Sequence, residues 1–394
     1  MPKSLNKLDQ TLSDALHKRA QNGSLRSLQD YSKLTDFCSN DYLGLSRSQV
    51  LRRSFQKCRA SWLALPMGSS GSRLITGNSS LAEETEALVA RQHHAEAALV
   101  FSSGFAANSG LFAAIARPED TLITDELVHA SIIDGVRLSK ARRLIFAHND
   151  LQDLERCLRA SVGNIFIGVE SVYSMDGDFA PLIEMAKLAE TYGAHLIVDE
   201  AHSSGIIGPN GAGRVVQLGL ENQISIRVHT FGKAYGIHGA AVVGSHLLRE
   251  FLINFARPFV FSTAPSPDHF LMIQAAYGLP AAEMETRRKH LLALVRYFCQ
   301  QREKSSWKWL PATNWIQSLC VPGNQAAKVV AERLQQSGLG LKAILAPTVA
   351  KGGERIRICL HAHNQQEEID DLMESLEEIW TKRKDMLSLA STQK

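Results

Sequence analysis

Between residues 97 and 244 the chain carries seven short runs rich in β-formers, at 97–101, 121–124, 144–147, 165–169, 195–199, 227–231 and 240–244. Helical stretches separate many of them, such as 81–92, 151–160 and 181–192. Strands that alternate with helices in this way must run mostly parallel, because each crossover returns the chain to the same end of the sheet. Such a sheet is buried on both faces, so its strands read as continuous apolar runs rather than as alternating ones. The alternation therefore predicts an α/β fold with a seven-stranded, mostly parallel sheet and helices on both faces.

The rest of the chain follows other patterns. Residues 1–35 read as a polar helical arm, with Leu5, Leu8, Leu12 and Leu16 at helical spacing and Gly23 ending the pattern. After Pro280 come a long charged helix at 281–302, short strands near 315–320 and 355–359, and an amphipathic helix from 366 to about 383. A single core stops growing at roughly 250–300 residues, so 394 residues predict more than one domain. The expected division is an N-terminal arm at 1–45, a large domain at 46–283 and a smaller C-terminal α+β domain at 284–394.

Composition excludes several classes. With 45% hydrophobic and 21% charged residues the chain is too apolar for disorder. A net charge of +3 makes no broad basic field, so neither nucleic acid nor an acidic membrane is an expected partner. No 18-residue apolar run is present, and Lys3, Lys7 and Asp9 interrupt residues 1–12, so neither a membrane span nor a secretory signal is expected. Cys38, Cys58, Cys157, Cys299, Cys320 and Cys359 are scattered without a CxxC pair, which suits reduced thiols and a cytoplasmic location. No metal is expected: His361-Ala362-His363 has no further ligand nearby in sequence, and His93-His94 on a charged helix reads as solvated.

In open parallel sheets ligands bind beyond the carboxyl ends of the strands, and three features stand there. The run 195–199 ends in Asp199-Glu200-Ala201-His202; a buried strand-end acid needs a cationic partner, such as a protonated pyridine nitrogen. The plain alternative is an Asp that caps a loop. The run 227–231 leads into Gly232-Lys233-Ala234, where a desolvated lysine can form an imine with a carbonyl; most lysines are simply solvated. No glycine stands at 227, so this is not an ATP-cradling loop. After 97–101, Ser102-Ser103-Gly104-Phe105 offers backbone N–H groups at a helix start for a phosphate, or equally a simple Ser cap. Taken together, the three describe a pyridoxal 5'-phosphate site.

The chain resembles an α-oxoamine synthase, a fold-type I pyridoxal-phosphate-dependent transferase, over nearly its whole length. The motifs that carry the resemblance are Asn40-Asp41-Tyr42-Leu43-Gly44, Gly71-Ser72-Arg73-Leu74-Ile75-Thr76-Gly77, Ser103-Gly104-Phe105-Ala106-Ala107-Asn108, His129-Ala130-Ser131, Ser174-Met175-Asp176-Gly177, Asp199-Glu200-Ala201-His202 and Thr230-Phe231-Gly232-Lys233. Their wording is most similar to the family member that condenses alanine with a pimeloyl thioester in biotin synthesis. The resemblance implies that Lys233 holds the cofactor and moves the substrate proton, Asp199 pairs with the pyridine nitrogen, and His129 stacks on the ring near the acyl group. Ser174 and His202 would bond around the ring hydroxyl, and Gly104, Phe105 and Thr230 would face the phosphate. Thr263 would complete that cup from the partner subunit of a homodimer.

For the substrate carboxylate the resemblance favours Arg357, with Asn40 nearby. Arg355 lies on the same strand face, so spacing alone leaves the two arginines open. Arg26 and Thr348 match substrate contacts; an exposed arm charge and a loop cap are their plain alternatives. Rivals within the family use glycine or serine with other acyl thioesters. Outside it stand an aminotransferase and a non-catalytic subunit, the latter disfavoured by the presence of Lys233, Asp199 and His202 together. The acyl donor is a coenzyme A or an acyl-carrier-protein thioester.

Overall fold

Seven strands form one sheet in a computed structural model that describes residues 6–62 and 64–391, the last nine of these as backbone only. They are β1 (Ala97–Phe101), β2 (Thr121–Asp125), β3 (Arg142–Phe146), β4 (Ile165–Glu170), β5 (His195–Asp199), β6 (Ile226–Thr230) and β7 (Ala240–Gly244). Their spatial order is β1-β7-β6-β5-β4-β2-β3. Every pairing is parallel except the two made by β7, which runs antiparallel to both β1 and β6. Strands β1, β2 and β7 are buried at every position, and β5 and β6 at all but the first. Since successive side chains point to opposite faces, such burial requires cover on both sides of the sheet. Edge strand β3 is half open instead.

The chain forms two compact units. One, Asn40–Ser174 with Asp178–His290, holds the seven-stranded sheet. Its core joins Leu99, Ile123, Ile167, Ile197 and Val228 of the strands to Leu111 and Phe112, Ile132 and Val136, Leu154 and Met185 of the helices Gly104–Ile115, Ala130–Ser139, Leu151–Arg159 and Leu182–Thr191. The first two of these helices cross closely at Gly135, where a Cβ would come 2.8 Å from the Phe112 Cβ; only glycine fits.

The other unit comprises Met1–Ser39, Met175–Gly177 and Leu291–Lys394. It contains a three-stranded sheet of β8 (Ile316–Cys320), β9 (Lys342–Ile344) and β10 (Arg355–Cys359), in the order β9-β10-β8 with both pairings antiparallel. Thr35–Asp36 pairs in parallel with Leu339–Gly340. The arm helix Lys7–Gln21 starts on an Asn6 cap and buries no residue; its Leu8, Leu12 and Leu16 are exposed, while Leu5 lies outside the described residues. Gly23, at φ 62°, turns the chain out of the helix, and Ser24 N–H reaches back to the Arg19 carbonyl. The last helix runs Gln366–Ser391, beyond the stop near 383 expected from its apolar stripe.

Candidate active site

The carboxyl ends of the parallel strands deliver the polar groups. Asp125 ends β2, Glu170 ends β4, Asp199 ends β5 and Thr230 ends β6, while β1 turns at once into the helix Gly104–Ile115. Ser103 caps that helix, its Oγ accepting from Ala106 N–H at 3.1 Å. The cap and the phosphate cradle are therefore compatible, because the N–H groups of Gly104 and Phe105 precede the one that Ser103 takes. A Cβ on Gly104 would collide with the Thr230 methyl, so the turn and the β6 end approach as closely as glycine allows.

Asp199 is buried, with two donors on its carboxylate: Ala201 N–H at 2.8 Å on Oδ1 and Asn108 Nδ2 at 2.7 Å on Oδ2. The loop-capping role and the strand-end acid thus coincide in one residue. Asn108 Nδ2 also reaches Ser131 Oγ at 3.1 Å, and Ser131 Oγ lies 2.7 Å from His129 Nδ1. His129 caps its helix through Nδ1, which accepts from Ser131 N–H at 3.2 Å. The residue keeps an exposed edge. Even so, partial desolvation lowers its pKa, Asp199 pulls the opposite way, and Lys233 adds to the lowering. Glu170, buried beside Asp199, has its carboxyl pushed up to about 8 by burial and by Asp199, while Lys233 opposes. Asp199 and Lys233 therefore act on the same two neighbours, His129 and Glu170.

Lys233 is half buried, with Nζ 2.8 Å from His202 Nε2. His202 Nδ1 lies 2.8 Å from the Tyr42 hydroxyl, which also donates to Asn40 Oδ1 at 2.9 Å. Since that hydroxyl spends its proton on Asn40, it accepts from His202 Nδ1–H, and His202 Nε2 accepts from the lysine. Ser174 is half buried, Phe105 and Thr263 are exposed, and Thr230 is buried with its hydroxyl 3.5 Å from the Ala201 carbonyl.

The remaining candidates belong to the unit with the three-stranded sheet. Arg26 Nη2 donates to Thr348 Oγ1 at 3.1 Å, so two residues 322 positions apart, each ambiguous alone, line one cavity of about 440 Å³ with Arg19, Lys342 and Pro347. Arg355 and Arg357 both point from β10 and are half buried. Arg355 is tied to Asp176 and to the Gly353 carbonyl.

Sequence reasoning missed several groups. Asn108 and Ser131 stand in the sequence only inside motifs, without a role of their own, and Glu170 falls just beyond the run 165–169. Tyr42 was visible only as part of a motif. His93 is a correction: it is fully buried, stacked 3.6 Å from the His229 ring, with Nδ1 2.8 Å from the Ala212 carbonyl and Nε2 2.8 Å from the Tyr277 hydroxyl. It closes the helix Ser80–Gln92, and there the chain turns inward, whereas His94 stays exposed. Asp36 joins His361 and His363, with ligand atoms within 4.8 Å of one another. His361, however, directs Nδ1 at Asn364 Oδ1 (3.1 Å) and Nε2 at the Ser39 carbonyl (3.0 Å) and hydroxyl (3.2 Å), so both ring nitrogens already have hydrogen-bond partners within the protein. Burial alone would raise the Asp36 pKa, yet His361 and the Ser39 and Cys38 N–H groups bring it to about 2.

The donor set fits pyridoxal phosphate. The free end of the helix Gly104–Ile115 suits a dianion, the buried Asp199 suits a cationic ring nitrogen, and Lys233 suits an aldehyde. Fold and site define a fold-type I, pyridoxal-phosphate-dependent transferase. The sequence profile of the aminotransferase class I and II family matches residues 32–376. An 8-amino-7-oxononanoate synthase from Emericella nidulans is 39% identical, over 94% of this chain and 95% of its own length. Among solved structures, serine palmitoyltransferase from S. paucimobilis, with bound PLP, shares the fold (TM-score 0.84, 24% identity, 94% and 98% coverage). The 8-amino-7-oxononanoate synthase of Francisella tularensis superposes with TM-score 0.75 at 26% identity, covering 90% of this chain and 99% of that one. The chain belongs to the aminotransferase class I and II family and, within it, to the 8-amino-7-oxononanoate synthases.

Proposed function

We propose that the protein condenses L-alanine with a pimeloyl thioester, of coenzyme A or of an acyl carrier protein, releasing carbon dioxide and free thiol and giving 8-amino-7-oxononanoate for biotin synthesis. The observation that carries this reading is the placement of Asp199 at the carboxyl end of β5 and of Lys233 just beyond that of β6, both acting on His129 and Glu170. We assign the cofactor site to the large domain at 46–283, with 284–394 as the small domain and 1–45 as the arm.

Bound pyridoxal phosphate supplies an electron sink for the charge left when the amino acid's α-carbon loses a proton or carbon dioxide. The protein's own groups do the rest. Asp199, held rigid by Asn108 and Ala201 N–H, keeps a carboxylate aimed where a cationic nitrogen is needed. Lys233 would hold the cofactor's aldehyde, and its neutral amine would take the α-proton. His202, at 2.8 Å from Nζ, orients the lysine. His129 would cover the ring face, Ser174 and His202 would bond the ring hydroxyl, and Gly104, Phe105 and Thr230 would hold the phosphate. Arg357 provides a planar, two-pronged cation for the alanine carboxylate, with Asn40 as a second contact. Arg26 and Thr348 grip the acyl chain's polar groups.

A homodimer that shares its sites, with Thr263 contributed by the partner, is part of this proposal. It is supported by exposed Leu74, Ile75 and Phe261 on two loops stitched together by the Ala264 N–H to Gly71 carbonyl bond at 2.9 Å. The six cysteines are free thiols and no helix among the described residues is long and apolar enough to cross a membrane; we place the enzyme in the cytoplasm.

A second reading, serine with a long acyl thioester, draws on the fold match to serine palmitoyltransferase. The backbone is common to the whole family, so the 39% sequence identity to the oxononanoate synthase weighs more. Thiol release measured with alanine, glycine and serine against pimeloyl, acetyl and palmitoyl thioesters decides between them. Turnover confined to alanine with pimeloyl thioester is expected, and a preference for serine with palmitoyl thioester would overturn the proposal.

A further inference from the structure

We propose that Asn108 and Ser131 are positioning residues whose side chains form one hydrogen-bonded chain, holding the Asp199 carboxylate at one end and fixing the proton of His129 on Nε2 at the other. The reading of Asp199 and His129 as cofactor contacts underlies its functional meaning, whereas the chain itself stands on geometry.

The direction of every bond follows from what each group can donate. The Asp199 carboxylate only accepts, so Asn108 presents its amide nitrogen, at 2.7 Å from Oδ2. That nitrogen has two hydrogens, and the second is directed at Ser131 Oγ, 3.1 Å away. Having accepted there, Ser131 has one proton left, and His129 Nδ1 lies 2.7 Å from its Oγ. The Ser131 backbone N–H points at the same nitrogen from 3.2 Å. A ring nitrogen that faces two donors must offer its lone pair. A protonated Nδ1 would set N–H against N–H. The neutral ring therefore carries its hydrogen on Nε2.

The three inner members of the chain, Asn108, Ser131 and Asp199, are all buried. Asn108 sits inside the helix Gly104–Ile115, where its side chain is an unfavourable choice for helix stability, and its Oδ1 is buried with no hydrogen-bond partner. An arrangement that leaves one amide atom unsatisfied while committing both hydrogens of the other is suited to orientation rather than to packing.

Three other charged or titratable groups face His129. Asp199 favours a protonated ring and Lys233 disfavours it. Glu170 accepts the His129 backbone N–H and not the ring. Ser131 adds to the effect of Lys233, because a donor aimed at Nδ1 stabilises the neutral form. The outcome is an uncharged imidazole with an Nε2–H free to donate to an oxygen of the incoming substrate, either its carboxylate or the thioester carbonyl.

The experiment uses protein labelled with ¹⁵N-histidine, measured by long-range ¹H–¹⁵N correlation with and without pyridoxal phosphate. Of the 14 histidines, His129 is the one whose signals vanish in His129→Gln. Expected in the wild type is a bare Nδ1 and a protonated Nε2 in the cofactor-free protein. Ser131→Ala is expected to raise the titration midpoint of His129 by about 0.5–1 pH unit and to admit the other tautomer. In the holoenzyme it moves the acid limb of the kcat profile up by a similar amount, whereas a purely structural lesion lowers kcat at every pH.

Asn108→Ala shifts both readouts in the same direction. If that variant fails to fold, the wild-type tautomer and Ser131→Ala decide. A wild-type ring protonated on Nδ1, or an unchanged midpoint in Ser131→Ala, would overturn the proposal. A wild type that binds no pyridoxal phosphate sinks the assigned function instead, and the tautomer measured in the cofactor-free protein then decides for or against the hydrogen-bonded chain by itself.

Discussion

Glu170 and Asp199 stand directly opposite each other at the carboxyl ends of the adjacent parallel strands β4 and β5. The two buried acids are treated differently. Asp199 receives two donors, while Glu170 is desolvated beside it and has its carboxyl pushed up to about 8. Below that pH Glu170 keeps its proton and adds no second negative charge beside Asp199.

Stability should record this asymmetry. The folded Glu170 retains a proton that the unfolded chain releases above about pH 4.3, so its contribution declines as pH rises from there to about 8 and then levels off. Glu170→Gln cannot ionise and lacks that slope. Melting curves of the cofactor-free proteins between pH 5 and 8 should show the variant gaining on the wild type as pH rises. A difference independent of pH would show that Glu170 is ionised in the folded state.

His148 shows the opposite sign. Burial opposes its charge, but Asp125 and Asp178 both bond its ring and hold its pKa up to about 10. The stabilisation is complete below the unfolded value near 6.5 and is lost as pH climbs through 10. His148→Gln leaves two carboxylates facing each other and should cost roughly 3 kcal/mol at pH 6, with the gap closing towards pH 10. Denaturant titrations at the two pH values check this; an equal cost at both would refute the ion-pair account.

Lys233→Ala should retain pyridoxal phosphate through the phosphate and pyridine contacts while losing the covalent link. Borohydride reduction is then expected to fix the cofactor to the wild-type chain and not to the variant, as read by protein mass. Turnover should fall by at least about 10²–10⁴-fold. Cofactor fixed to the variant would place the attachment elsewhere.

The two arginines of β10 should part company. Arg355, tied to Asp176 and Gly353, is a structural cation, and Arg355→Lys should lower the melting temperature with little change in the alanine KM. Arg357→Lys replaces a forked donor by a point charge and should raise the alanine KM about 10- to 100-fold, equivalent to 1.5–3 kcal/mol. If the KM effect follows Arg355 instead, the carboxylate assignment reverses.

Much of this site is legible along the chain, and the reason differs from residue to residue. The runs 97–101, 195–199 and 240–244 match β1, β5 and β7 end to end, because strands buried on both faces leave an apolar signature that nothing else in a short run imitates. At the open edge the signature weakens: the run 144–147 corresponds to Arg142–Phe146, whose first residues face water. Lys233 and Asp199 stand out because a strand end fixes where a side chain emerges. His93 misleads because local charge on its helix says nothing about where the helix ends, and that end folds inward against Tyr277 and Ala212.

Periodicity and strand-end chemistry, both set within a few residues, determined from the sequence alone that this chain builds a parallel sheet with a lysine and an acid at its carboxyl edge. The tertiary structure alone decided how those groups are held. Asn108 meets Asp199 across 91 positions, Arg26 meets Thr348 across 322, and Asp36 comes within 4.8 Å of His361 from a segment equally remote. Hydrogen-bond direction, proton placement and a shifted carboxyl depend on which donors and charges lie within a few ångströms, and that proximity exists only after the core has brought distant segments together.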